Sequence, residues 1–239
     1  MDTSEPPPGT PPEEPAPPPP ALSEPASRTQ PLSALTPSPG LAVSDPSGPP
    51  SPIYPARFEI SYPSELNRWL PLIKWLLVIP HFIVLFFVGV GAFFVLIYGF
   101  FAVLFTRHWP RGAFEYLVGT LRWSYRVLAY YHLMTDAYPP FSLADDPGYP
   151  VRVNVDYPEH VARWRPLVQW LLAIPYVIIA GILYWLTGIL TIVAFFTVLF
   201  IKRIPREVFE LMVPGFRWHV RGGAYTYFMT DRYPPFIWG

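Results

Sequence analysis

Phe82–Thr106, FIVLFFVGVGAFFVLIYGFFAVLFT, runs for 25 residues without a charge, and Tyr176–Ile201, YVIIAGILYWLTGILTIVAFFTVLFI, runs for 26. About 20 apolar residues suffice for a helix to cross the hydrocarbon core of a bilayer. Trp, Tyr and Arg flank both runs, as befits segments that end at headgroup level. A buried helix of a soluble protein would explain one such run better than two at matching places. The runs predict an all-α integral membrane protein.

The matching places come from a duplication. Arg57–Phe141 aligns without a gap with Arg152–Phe236 at an offset of 95, with 36 of 85 positions identical. A residue that both copies need should therefore occur twice. The chain divides into a tail (1–52), a first membrane repeat (53–145) and a second (146–239).

The apolar stretches begin before the prolines, near Leu66 and Val161, so each repeat offers close to 40 residues. One reading places an interfacial helix at 66–79, a kink at Pro80 or Pro175, and one crossing after it. The other makes each repeat a transmembrane or re-entrant hairpin, turning at Gly89-Val90-Gly91 and at Tyr184–Gly188. A single crossing inverts the second copy relative to the first. A hairpin keeps all 16 basic residues of the core on one side, in line with the positive-inside rule. The hairpin is favoured, although its arm at 93–106 gives only about 20 Å of helix.

A basic turn follows each run, Arg107–Arg111 and Lys202–Arg206, with Pro110 or Pro205 near the start of the next helix. Glu115, Gly119, Arg122 and Arg126 then share one helical face, opposite Phe114, Leu117, Val118, Leu121 and Leu128. The second copy keeps Glu210, Arg217 and Arg221, with Pro214 on the same face. This predicts an interfacial amphipathic helix in each repeat. The Glu/Arg/Arg stripe is the best candidate for a chemical role, a contact for phospholipid headgroups or another anion. A solvated anchoring face is the simpler explanation of the same pattern.

Each repeat closes with Thr-Asp-x-Tyr-Pro-Pro-Phe, containing Asp136 or Asp231, and opens with alternation at 57–63 or 152–158 that suits a short strand. Two such strands can pair into a small cap. Further repeated positions, Arg68, Trp69 and Pro80 with Arg163, Trp164 and Pro175, read as structural.

His81, His108, His132, His160 and His219 all fail to recur, which excludes a duplicated metal site or His-based catalytic pair. The chain has no cysteine, and no nucleotide-binding or nucleophile motif. The apolar runs lack the mid-membrane charges of ion-coupled transporters. No catalytic residue, cofactor, metal or nucleic-acid partner is expected.

Residues 1–50 hold 17 of the 34 prolines and one Arg against six acids, with no aromatic residue. Such a stretch cannot bury enough apolar surface to order itself, so a disordered, Pro-rich, cytoplasmic tail is expected. The N-terminus lacks the basic and apolar pattern of a signal peptide.

YPSELNRWLPLIKWLLVIPHFIVL, PRGAFEYLVGTLRWSYRV and TDAYPPFSL resemble a bacterial membrane-protein family known as domain of unknown function 4389, in two tandem copies over about residues 57–238. The second copy departs from it at Ala162, Glu207 and Gly222-Gly223. The resemblance implies the fold and no activity. The leading expectation is a multi-pass bacterial inner-membrane protein acting as a non-enzymatic interaction or scaffolding module. Its partners would be the bilayer, a protein met through the membrane domain or the tail, or a second copy of the chain. The alternatives are a small channel or transporter, and an anionic-lipid-handling protein using the Arg stripes.

Overall fold

The computed structural model describes Met1 and residues 54–238. The expected tail lies outside the described residues, apart from Met1. The residues from Tyr54 onward belong to one compact unit.

Strand β1 (Ala56–Ile60) leads into helix α1 (Leu70–Leu77), α2 (Ile79–Thr106) and α3 (Arg111–Tyr131). The second copy repeats the order with β2 (Val151–Val155), α4 (Arg165–Ile201) and α5 (Arg206–Thr226). Prolines open the first turns of α1, α2 and α4, where a missing N–H costs nothing. Arg107 and Lys202 end α2 and α4 in the left-handed region, at φ 64° and 58°. Their N–H groups bond the carbonyls of Val103 and Val198. The same stop is thus used twice.

Neither apolar run turns back on itself. Helix α2 passes through Gly89 and Gly91, and α4 passes through 184–188, without a break. This overturns the hairpin. The glycines serve side-by-side packing instead: a Cβ on Gly91 would sit 2.6 Å from the Tyr116 hydroxyl, which donates to Val88 O at 3.0 Å. Near the expected kink the helix is interrupted in one copy only, and there by a single residue that keeps αR angles. Val78 separates α1 from α2, whereas Pro175 lies inside an uninterrupted α4.

Helix α3 runs back along α1 and α2. The Gly99 backbone meets the Trp109 ring, Trp123 bonds His81 at 3.2 Å, and Lys74 stands over the Tyr130 ring. Helix α5 returns along α4 in the same way, where Thr187 donates to Met212 O at 3.1 Å and Gln169 to Tyr225 O at 2.7 Å.

The strands pair antiparallel, as the alternation suggested, from Ala56↔Val155 to Ile60↔Val151. The central pair, Phe58↔Val153, joins equivalent positions of the two repeats. The repeats are therefore related by a two-fold axis through that pair. Contacts across the axis come in matched sets. Leu66 N–H bonds Lys202 O, and Val161 N–H bonds Arg107 O. Tyr62 donates to Ile204 O at 2.6 Å, and Tyr157 to Trp109 O. Each strand packs on the other copy's amphipathic helix, β1 on α5 and β2 on α3. Three layers result: the ribbon, then α3 with α5, then the apolar helices.

Candidate functional site

The ribbon covers the repeated Arg stripe. Arg122 donates from Nε to Val153 O at 3.1 Å and from Nη2 to Asn154 Oδ1 at 3.0 Å. Its counterpart Arg217 reaches Phe58 O at 3.4 Å. Both side chains hold the strand pair on the helices beneath. Arg126 is 1% exposed, lies under the Tyr149 ring, and approaches Asp145 at 4.0 Å. Burial pulls its guanidinium below the usual arginine range, and Asp146 and Asp145 oppose that shift. The Arg221 carbonyl accepts from the Tyr54 hydroxyl at 3.5 Å. Glu115 and Glu210 are exposed and form no ion pair among the described residues.

The expected amphipathic geometry thus needs correction. Helices α3 and α5 do not lie with one solvated face. Each is held between an apolar helix and a strand, so Trp123, Tyr125, Val127 and Tyr130 are buried as well as Phe114 and Val118.

The closing loops are tied to the starts of the long helical segments, through the Asp136 carboxylate in the first copy and through main-chain carbonyls in the second. Asp136 accepts from Asn67 N–H at 2.6 Å and from Lys74 Nζ at 2.7 Å, while Lys74 also donates to Thr135 O at 2.8 Å. In the second copy Gln169 replaces Lys74 and donates to Thr230 O at 2.6 Å. The positive charge moves to Arg165, which donates to Asp231 O at 2.5 Å. In each copy one cation bonds the closing loop, from a different register. Arg68 is half-buried, whereas Trp69, Arg163 and Trp164 are exposed beside the same joint.

Two spaces adjoin these elements. A cavity of about 310 Å³ lies between Gly89, Leu96, Leu117 and Tyr227. Its counterpart is filled, because Tyr184 stands where the first copy has Gly89. The Tyr184 hydroxyl lies 3.2 Å from His132 Nε2, and Thr191 lies 2.7 Å from His132 Nδ1. Burial pushes His132 down to about 4. A second, polar groove of about 350 Å³ is lined by Tyr62, Arg206, Glu210, Arg217 and Trp238. Among the described residues no three His, Cys, Asp or Glu side chains converge to hold a metal ion.

Sequence reasoning missed Tyr62 and Tyr157, although both pass the repeat test, and it missed the exchange of Lys74 for Arg165. That exchange is invisible to a position-by-position comparison, since neither residue has a charged counterpart.

A family profile described as a domain of unknown function, DUF4389, matches residues 69–142 and 163–237. The chain belongs to that family. No curated protein and no solved structure matches it. The two DUF4389 matches start at Trp69 and Arg163, so the family profile covers all the long helices but neither strand.

Proposed function

We propose that this DUF4389 protein is a membrane-inserted, non-enzymatic interaction or scaffolding module. The observation that carries the reading is the apolar surface of two 37-residue helical segments, Leu70–Thr106 and Arg165–Ile201. Phe86, Phe87, Phe105, Trp185 and Phe200 are each at least two thirds exposed. Lipid hydrocarbon is the environment that such side chains suit. The charged ribbon lies on the opposite side of α3 and α5, where an aqueous partner could reach it. A bacterial inner membrane is the setting this reading assumes.

The test is alkaline carbonate extraction followed by in-membrane crosslinking with an amine-reactive and a carboxyl-reactive reagent. The expected result is retention in the pellet, with a defined crosslinked adduct that disappears in Glu59→Ala/Arg152→Ala. Solute flux through proteoliposomes, with no ribbon-dependent adduct, would replace the scaffold with a channel.

The groove lined by Arg206, Arg217 and Trp238 favours a second reading, an anionic-headgroup contact. In that case Arg206→Gln would weaken binding to phosphatidylglycerol vesicles without affecting binding to phosphatidylcholine vesicles.

A further inference from the structure

We infer that α1, α2 and α4 do not cross the bilayer but lie along the plane of one leaflet, with its acyl chains as the partner of their exposed flanks. This rests on the membrane-inserted reading and specifies how the insertion occurs.

Three observations carry it. The first is length. Leu70–Thr106 and Arg165–Ile201 each contain 37 residues, about 55 Å of helix at 1.5 Å per residue. The hydrocarbon core is about 30 Å thick.

The second is the direction of the chain. Leu66, just before α1, bonds Lys202, just after α4, and Val161, just before α4, bonds Arg107, just after α2. The two long segments are therefore antiparallel, and their basic ends lie at opposite ends of the molecule. If the segments crossed, Arg107 and Lys202 would stand in different compartments.

The third is the position of the ribbon. Strand β2 runs along α3, from Tyr157 against Phe114, through Val153 against Arg122, to Tyr149 against Arg126. Helix α3 in turn runs along α1 and α2, from Trp109 beside Gly99 to Tyr130 beside Lys74. The strands thus lie alongside the long helices, with the two-fold axis at mid-length. Glu59, Arg152 and Asn154 are exposed there. In a crossing arrangement these groups, with Asp145 that pairs with Arg152 at 3.6 Å, would sit at the bilayer centre on an open face, where charged side chains are costly. Rotating the molecule so that the two-fold axis lies along the membrane normal removes the conflict. The ribbon then faces water, α3 and α5 sit at headgroup level, and the apolar helices lie below them. Both repeats then enter from the same side.

The chain has no cysteine, so single reporters are clean. Full-length His108→Cys, Arg203→Cys and Phe93→Cys would each be expressed in bacteria. Spheroplasts, intact or lysed, would be treated with a membrane-impermeant maleimide, and membranes would be extracted with alkaline carbonate. Positions 108 and 203 are equivalent and exposed. The inference expects pellet retention, identical labelling of 108 and 203, and no labelling of 93 in either preparation. Retention with 108 and 203 labelled from opposite sides would overturn in-plane insertion and leave the membrane reading standing. Retention with position 93 labelled would overturn it as well, in favour of a water-lined path. Release by carbonate would overturn the membrane reading itself.

Discussion

Phe58 lies directly across the strand pair from Val153, and the two occupy the same position in the two repeats. The two-fold axis therefore passes between unlike side chains. Phe58 supplies most of the contact, stacked on Phe216 at 5.1 Å and tilted against Tyr125 at 6.0 Å. It joins β1 to helices of both copies.

Phe58→Ala should therefore lower stability by about 3–5 kcal/mol, the range for a buried aromatic truncation. Val153→Ala, which removes less buried surface, should cost less than that. Denaturant unfolding in detergent, followed by tryptophan fluorescence, checks the order. Equal losses would mean that the axis contact is shared evenly between the repeats.

The joint at Lys74 gives a second prediction, drawn from the other copy. Lys74→Met leaves the Asp136 carboxylate, a quarter exposed, without its cation, and losing a charge-assisted bond at such a partly buried site should cost about 1–3 kcal/mol. Lys74→Gln should be much milder. Gln169 already donates to two carbonyls at that position, and Asp136 keeps the Asn67 N–H. The same unfolding assay separates the two variants.

The readable part of this fold is what duplication and periodicity encode locally. The strand alternation at 57–63, the helices after Pro110 and Pro205 and the long apolar runs all follow from short-range pattern. The hairpin failed because a glycine in an apolar run has two meanings. Gly91 reads as a turn residue or as a place where another element comes close, and only its partner Tyr116 decides between these. In the second copy Tyr184 and Trp185 open the turn expected at 184–188. Tyr184 instead turns inward to His132, while Trp185 points outward and is 69% exposed. The Arg stripe was legible as a stripe. Its cover was not, because β2 reaches α3 across a 19-residue connection with no periodic signal.

The two copies also divide one volume differently. A Cβ on Gly99 would lie 2.0 Å from the Trp109 ring. The second copy has Ala194 and Ile204 at these positions, both fully buried. Gly99→Ala alone should overpack the joint and cost about 1–3 kcal/mol. Adding Trp109→Ile should recover part of that loss, even though the indole bond to Phe228 O (2.9 Å) is given up. A double-mutant cycle measures the coupling. A strictly additive double variant would show that the backbone, not the pair, absorbs the extra methyl.

His132 makes stability depend on pH, with a definite sign. Its ring is enclosed by Thr191, Tyr184, Phe216 and Tyr131. Burial holds its pKa at about 4, against the ordinary 6.5. Between these values the unfolded chain binds the proton and the folded chain does not, so stability falls as pH drops from 6.5 toward 4. A shift of that size is worth about 3 kcal/mol over the window. His219 is also held down by burial and acts in the same direction. Melting midpoints of wild type and His132→Gln, compared at pH 7 and pH 4.5, isolate the share of His132. The wild type should lose more on acidification than the variant. Equal losses would place the acid sensitivity elsewhere, with His219 the first group to substitute.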